Sequence, residues 1–233
     1  MQTKKAFWLL AFLVLATVAF GQTVVINSFS SSTLPAGWVA ASGDWKVMNG
    51  KLYQLDTKER MAMLNIPAPQ SGTVQYEFDL EYNDGAEDDY AGFGIHVIVD
   101  NPSHGRSWGD GQSALLWVTW DPKHYGPPGL FAQAYASAGP TSMALYPSRD
   151  IMKAGGNMPF PSQYVKMEYL HATVPVKIVI DYDTGEMKVY DPLDMRYYYR
   201  FKASLPKKSG RYFAFRTNSL SVRIDNFKIT KLD

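Results

Sequence analysis

Apolar and polar residues alternate along most of this chain, which is the pattern of β-strands that bury one face and expose the other. The sustained 3.6-residue periodicity that would indicate helices is hard to find. The most regular stretch is 73–82, where every second residue from Val74 to Tyr82 is apolar. The alternation predicts strands near residues 23–29, 45–48, 51–55, 60–66, 73–82, 90–99, 114–120, 130–136, 164–170, 174–182, 186–190, 197–203, 211–216 and 220–230.

Turn residues between these segments favour antiparallel pairing. Asn49-Gly50 predicts a two-residue hairpin, because the favoured turn needs positive φ at both central positions. Asp183-Thr184-Gly185 predicts a second hairpin, slightly longer, between 174–182 and 186–190. So many short strands predict an all-β fold of two stacked antiparallel sheets.

Three connections are longer than the rest, at residues 100–113, 121–129 and 137–163. The last is far above the usual median of about 4 to 6 residues, and loops of this length are typically functional or disordered. We therefore expect specificity to lie there. A packed lid that only covers a sheet edge is the alternative that the sequence leaves open.

Residues 1–21 have the composition of a signal peptide. Lys4 and Lys5 precede an apolar run from Ala6 to Phe20, and small residues stand before the expected cut, so the mature chain should begin at Gln22. An uncleaved membrane anchor is disfavoured, because the run is shorter than the ~20 residues that span a bilayer. The chain has no cysteine, which excludes a lipoprotein attachment site and disulfides. We expect a periplasmic or secreted bacterial protein with one domain at 22–233.

Charge limits the partners that this protein can have. The 23 basic residues nearly balance the 22 acidic ones, and removal of the leader lysines makes the net charge slightly negative. Nucleic acid and anionic membranes both require a clustered basic excess, so neither is expected as a partner. Aromatic residues make up 14% of the chain. They can serve a sandwich core or form platforms for sugar rings.

Segments near both ends carry a family resemblance. The first holds Phe29 and Pro35-Ala36-Gly37-Trp38, followed by Gly43-Asp44-Trp45 and Asn49-Gly50-Lys51-Leu52; the last is Val222-Arg223-Ile224-Asp225-Asn226-Phe227-Lys228-Ile229. Together they resemble the opening and closing strands of bacterial concanavalin A-like (laminin-G/glucanase-type) jelly-roll domains, over most of the mature chain. The resemblance implies an antiparallel two-sheet jelly-roll sandwich in which 24–26 and 222–224 lie on neighbouring strands of one sheet.

The carboxylates of 73–82 are the strongest catalytic candidates. Glu77-x-Asp79-x-Glu81 is similar to the catalytic strand of family 16 glucanases, which implies Glu77 as nucleophile, Glu81 as acid/base and Asp79 as the residue that tunes the nucleophile. Retaining hydrolysis needs carboxyl groups about 5 to 5.5 Å apart, whereas positions i and i+4 of a strand have Cα atoms roughly 13 Å apart. The family's Trp-Pro-x-x-Gly segment is also absent before the strand. An exposed polar face gives the same pattern, and the sequence favours that interpretation.

Metal and cofactor signals are weaker. An acidic segment follows the same strand and could offer Ca²⁺ its preferred oxygen ligands, although it lacks the EF-hand order and an ordinary turn is favoured. Its acidic residues are Asp84, Glu87, Asp88 and Asp89. The four histidines, His96, His104, His124 and His171, lack zinc-type spacing, so a structural role is favoured for each over metal ligation. We expect no cofactor, with Ca²⁺ as the open alternative.

Aromatic residues beside the middle connections give the best binding signal. Trp108, Trp120, His124 and Tyr125 combine ring faces with polar groups, the mixture that sugar-binding sites use. Trp117 and Trp120 fall on opposite faces of 114–120, so at least one of them should be core. The sequence thus predicts an exported, non-enzymatic module that binds carbohydrate or another envelope component. The alternatives are a self-associating structural subunit of a periplasmic or surface assembly, and a family 16-like hydrolase.

Overall fold

The structure of the protein is a computed structural model. It describes residues 21–85, 91–99, 101–102, 113–119, 131–137, 143–145, 172–190, 195–196, 198–202, 205 and 208–233. These residues form fifteen strands and no helix. Accordingly, the described part of the chain offers no helix long and apolar enough to cross a membrane.

The strand bounds follow the alternation of the sequence. They are β1 Gln22–Asn27, β2 Val39–Ser42, β3 Trp45–Met48, β4 Lys51–Gln54, β5 Ala62–Gln70, β6 Thr73–Gly85, β7 Gly92–Val99, β8 Ala114–Thr119, β9 Phe131–Ser137, β10 Met143–Leu145, β11 Val174–Asp181, β12 Glu186–Tyr190, β13 Tyr198–Lys202, β14 Gly210–Asn218 and β15 Leu220–Lys231.

The strands assemble into two antiparallel sheets. Sheet A has the order β13-β12-β11-β6-β15-β4-β3, with β1 also paired to β15, and sheet B has the order β10-β9-β8-β7-β14-β5-β2. The fold is an all-β, antiparallel two-sheet sandwich, which confirms the predicted fold class. Concanavalin A-like family membership stays a prediction.

Most predicted strands are present, and the differences have local causes. The predicted strand at 60–66 stops before two prolines, yet β5 continues to Gln70. Its neighbour β2 pairs only with residues 63–65 of β5, so the prolines lie where that side of β5 is an edge, and proline is tolerated there. Strand β2 was not predicted because its alanines give no alternation. Strand β10 lies within the predicted connection 137–163, and the predicted strand at 164–170 lies outside the described residues.

Both predicted hairpin turns are confirmed. Asn49 and Gly50 have φ of 49° and 72°, as a tight hairpin of this type requires. In the second hairpin, Gly185 has a φ of 75°. One carboxylate oxygen of Asp181 accepts from the backbone N–H groups of Asp183 and Thr184, which fixes the start of the turn.

The two ends of the chain meet in sheet A, as the resemblance implies, although the partners differ. Strand β1 pairs with residues 227–231 of β15, and residues 222–224 pair with β4. The ring of Trp38 lies between those of Phe29 and Phe227, with centroid distances of 6.1 and 5.9 Å. The opening and closing motifs therefore contact each other in the core, and each edge-to-face pair is worth about 0.5–1.5 kcal/mol beyond its burial.

The core between the sheets is rich in aromatic side chains. Its buried rings include Tyr76, Phe78, Phe93, Phe213, Phe215 and Phe227. The hydroxyl groups of Tyr76 and Tyr182 lie 2.5 Å apart within this core, so each buried hydroxyl has a hydrogen-bond partner. Because burial of one large apolar side chain contributes about 1.5–3 kcal/mol, this core fixes the positions of both outer faces.

Candidate functional site

The four predicted ligand contacts, Trp108, Trp120, His124 and Tyr125, lie outside the described residues, and the predicted loop site stays a prediction. The strands restrict where it can form. Val97 pairs with Ala114 and Gly92 pairs with Thr119. Segment 100–113 therefore leads into the first residue of β8, and segment 121–129 follows the other end of this strand. The two ends of β8 are about 20 Å apart. The outer face of β8 and of its neighbours in sheet B lies between these two ends.

That outer face is buried, although it points away from the sandwich core. Met63, Val99 and Ala214 form a second apolar cluster there. Three polar side chains and one tryptophan on the same face are also buried: Asn65, His96, Arg216 and Trp117. An antiparallel sheet commonly exposes one face to water, whereas these side chains of sheet B are buried on the face that points away from the core.

The polar members of this face are close neighbours in the register of the strands. His96 and Asn65 lie on either side of Ala214 in one cross-strand row. Trp117 and Arg216 lie on either side of Gly94 in the next row. We call Asn65, His96, Ser113, Trp117 and Arg216 the sheet-B cluster.

Gly94 makes room for the tryptophan. A Cβ atom at this position would lie 2.6 Å from Cε3 of Trp117 and 2.9 Å from the backbone oxygen of Leu116. Any side chain would therefore displace the indole. This indole, only 5% exposed, lies against the backbone of β7, so Trp117 is buried on the outer face of sheet B and not between the sheets. Trp120, the other tryptophan considered for the core, lies outside the described residues.

Two hydrogen bonds hold the polar side chains of the cluster. Oγ of Ser113 lies 2.8 Å from Nε2 of His96, and Nδ2 of Asn65 donates to the backbone oxygen of Pro102 over 2.8 Å. Within the described part of the chain, Nδ1 of His96 and Oδ1 of Asn65 have no partner. A buried polar atom without a partner costs about 1–3 kcal/mol, which is unusual in a well-packed protein.

The charge state of the cluster follows from its burial. Burial lowers the pKa of His96 well below its usual 6.5, and the nearby Arg216 cation lowers it further. Burial also lowers the pKa of Arg216, to about 10, while Glu59 acts in the opposite direction. At neutral pH the cluster therefore combines a guanidinium cation with a neutral imidazole and an amide. All three are groups that hydrogen-bond readily to hydroxyl or carboxylate oxygens.

Sequence reasoning missed Asn65 and Arg216 and treated His96 as a structural residue. A signal was present, because each of the three interrupts an otherwise apolar strand. Their position opposite the core-facing residues predicts ordinary solvated side chains. The burial of this face distinguishes them, and strand periodicity carries no information about it.

The carboxylates Glu77, Asp79 and Glu81 lie on the outer face of sheet A. The two oxygens of Glu81 contact Lys51 at 2.9 Å and Arg223 at 3.0 Å, and Asp79 accepts from Nδ2 of Asn226 at 2.7 Å. Glu77 lies in register between Lys177 and Lys228. These are contacts between neighbouring strands. The Glu81 side chain is only 15% exposed, so it is less solvated than the alternation predicted.

The described residues do not support the metal sites considered from the sequence. Asp84 accepts from the backbone N–H of Gly85, and Glu87, Asp88 and Asp89 lie outside the described residues. Of the four histidines, only His96 is described. Among the described residues no three histidine, cysteine, aspartate or glutamate side chains are grouped to hold a metal ion.

Comparison with known proteins places the fold among antiparallel β-sandwiches of known structure. No family model and no curated protein sequence matches the chain. Among solved structures, the carbohydrate-binding module CBM66 from Bacillus subtilis is 14% identical, with a TM-score of 0.53 over 86% of this chain and 98% of that one. A protein of unknown function with a galectin-like fold from Bacillus subtilis is 11% identical, with a TM-score of 0.59 over 91% and 96%.

An enzyme has a similar structure as well. The alginate lyase Aly36B is 15% identical, with a TM-score of 0.52 over 91% of this chain and 97% of that chain. Binding modules and an enzyme thus share this sandwich, so at these identities the likeness shows the fold alone. Function has to be argued from the sites.

Proposed function

We propose that the protein is an exported, non-enzymatic module that binds carbohydrate or another envelope component over the outer face of sheet B. Export is inferred from the basic and apolar leader at 1–21. The ligand would contact Trp108, Trp120, His124 and Tyr125, which belong to the segments that connect strands of this sheet.

The observation that carries the proposal is the unused hydrogen-bonding capacity of the sheet-B cluster. Nδ1 of His96 and Oδ1 of Asn65 are buried without partners among the described residues. A sugar hydroxyl can donate to one group and accept from another at the same time. Such a ligand would relieve the cost of these atoms, and the flat face of the Trp117 indole lies in the next row of the sheet.

Because the cluster is buried, we also expect the ligand to associate slowly. His96 and Asn65 have no exposed surface, so a ligand reaches them only after a conformational change. Binding that requires a conformational change is slower than the usual 10⁵–10⁷ M⁻¹s⁻¹, as an order of magnitude. The similar CBM66 and Aly36B structures support the class of ligand, since one is a carbohydrate-binding module and the other is an alginate lyase.

The non-enzymatic part of the proposal rests on the carboxylates. Both oxygens of Glu81 are used in ion pairs, and Asp79 accepts from Asn226. Hydrolysis through Glu77 and Glu81 would require these contacts to be broken. We therefore expect no release of reducing sugar from β-glucans by the mature protein.

A glycan array with the mature chain tests the proposal, followed by titration of the best ligand against two variants. Trp108→Ala should weaken binding by about 1–3 kcal/mol, as the loss of a large covered side chain does, with little change in melting temperature. Asn65→Leu should also weaken binding, since it removes Oδ1. Met63→Leu, on the same buried face, is the matched control and should leave affinity unchanged.

Three outcomes would contradict the proposal. One is an array on which no glycan binds. Another is a Trp108→Ala variant that has a sharply lower melting temperature but binds the ligand with wild-type affinity. That result would show that Trp108 belongs to the core. The third is equal affinity of the Asn65→Leu and Met63→Leu variants for the ligand.

A further inference from the structure

The outer face of sheet A carries an aromatic pair at the edge formed by β11, β12 and β13. Tyr190 and Tyr198 are direct cross-strand partners, and their ring centroids lie 5.3 Å apart. Each ring is covered on one side by a lysine: Nζ of Lys177 is 4.6 Å from the centroid of Tyr190, and Nζ of Lys188 is 5.2 Å from that of Tyr198. Tyr198 is nevertheless 45% exposed.

Cations surround this pair in the neighbouring rows. Arg200 is the cross-strand partner of Lys188, and Lys202 is the partner of Glu186. Glu186 contacts both Lys188, at 3.5 Å, and Arg200. We define the β11–β13 patch as Lys177, Glu186, Lys188, Tyr190, Tyr198, Arg200 and Lys202.

Among the described residues the patch has an excess of positive charge, because four cationic side chains face one carboxylate. Two nearby acidic groups have other contacts or other neighbours. The carboxylate of Asp181 accepts from the turn N–H groups of Asp183 and Thr184, and Glu77, on β6, also lies beside Lys228. The chain as a whole is nearly neutral, so the excess is a local property of this edge.

An exposed tyrosine ring beside a second ring and several cations matches one ligand chemistry. Neighbours within a row of the patch are one strand spacing apart, about 4.8 Å, and successive rows on this face are about 6.8 Å apart. A polymer with a carboxylate on successive rings can contact several cations at once. The open faces of the tyrosine rings can pack against the apolar C–H faces of sugars. Single-stranded nucleic acid also combines charge with flat rings, but it favours an extended basic groove, whereas the basic residues here are confined to one edge.

We infer that the β11–β13 patch binds a carboxylated polysaccharide, with the cations on its carboxylates and the tyrosines against its rings. This site lies on the sheet opposite to the one used by the proposed function. It rests on separate contacts and stands whether or not that proposal holds.

Titration of the full mature chain with oligogalacturonate tests this inference. The free acid should bind with an affinity that falls as NaCl is raised, and the methyl-esterified form should not bind. The double variant Lys188→Ala/Lys202→Ala should lower affinity on the order of tenfold, as the loss of two exposed ion pairs predicts. Tyr198→Ala should also lower it, and Tyr198→Phe should retain it because the ring remains.

Matched variants separate the site from general electrostatics. Lys58→Ala removes one exposed lysine far from the patch in the sequence and should have no effect, and Lys202→Arg in the Lys188→Ala background should bind better than the double alanine variant. Trp108→Ala and Asn65→Leu should leave oligogalacturonate affinity unchanged. Equal binding of the ester, equal loss in Lys58→Ala, or tighter binding of a single-stranded oligonucleotide of similar charge would each overturn the inference.

Discussion

His96 is a histidine without exposed surface, next to a buried cation. Burial and the charge of Arg216 both lower its pKa in the folded protein. The unfolded chain has no such constraint, so its histidine takes up a proton near pH 6.5. Protonation therefore favours the unfolded state, and the residue makes folding sensitive to mild acid.

We expect the free energy of unfolding to decrease as the pH falls from 7 to 5.5. Above the unfolded pKa of about 6.5 His96 is neutral in both states, and below it only the unfolded state binds the proton. The loss should be about 1 kcal/mol over this window, since one pH unit corresponds to about 1.4 kcal/mol. Urea unfolding at both pH values measures it.

The control for this prediction is His96→Gln, which keeps a hydrogen-bonding side chain but does not titrate. It should be less stable overall and should show a flatter pH dependence than the wild type. A backbone hydrogen bond lowers the pKa of Asp181, and Arg200 lowers the pKa of Glu186. These two carboxylates affect the free energy of unfolding only below this pH window. Parallel pH curves for wild type and variant would show that His96 is not buried neutral.

Single residues were the hardest feature to predict from the sequence. Alternation places His96 opposite Ile95 and Val97, which is correct for the strand, but the side that faces away from the core is expected to be wet. Burial of this side depends on contacts made elsewhere in the chain. Trp117 shows the same limit, because its strand was predicted and its covered position on the outer face was not.

Strand β6 shows that polar residues within one regular alternation can differ in their contacts. Its polar face carries Glu77 and Glu81, which look equivalent in the sequence. Of the two, only Glu81 has ion pairs among the described residues, with Lys51 and Arg223, whose side chains are 32% and 28% exposed. The solvated face predicted for the whole strand is therefore incomplete for Glu81.

We expect Glu81→Gln to lower the free energy of unfolding by about 1–2 kcal/mol, since it removes two charge-assisted contacts that are only partly screened by water. Glu77→Gln is the matched control and should change it by less than about 0.5 kcal/mol. Both variants should keep wild-type ligand binding. Urea denaturation of the two proteins measures the difference, and equal stabilities would mean that the Lys51 and Arg223 contacts contribute nothing.

Elements with clean alternation or defined turns were predicted closely. The bounds of β3 and β12 match their predictions, because each adjoins a hairpin whose turn residues are unambiguous. Strand β10 was missed because Met143-Ala144-Leu145 is too short to show a period. Short segments gain strand structure from a paired neighbour, here β9, and the sequence does not identify that neighbour.

At the scale of the whole molecule, the last strand holds sheet A together. Strand β15 pairs with β6 along most of its length on one side, and with β4 and β1 on the other. Strand β1 has only β15 as a partner among the described strands. The order of strands in a sheet depends on such distant pairings, which periodicity cannot supply. Only the family resemblance indicated that the two ends meet.

We expect deletion of residues 220–233 to abolish cooperative thermal unfolding, because β6 and β4 would lose their shared partner. Deletion of residues 22–27 should lower the melting temperature but keep a cooperative transition, since it removes a strand with a single partner. Circular dichroism during heating distinguishes the two. A cooperative transition in the first variant would show that the sandwich assembles without β15.

The pairing of Gln22 with Lys231 has a practical consequence. Both ends of the folded chain leave from one corner of sheet A, with β15, β6, β11 and β12 between that corner and β13. A fusion partner, an affinity tag or a surface anchor added at either end would therefore attach the molecule at the same point. An immobilised molecule would keep the outer face of sheet B and the edge at β13 turned towards the solution, where each could engage a different polymer.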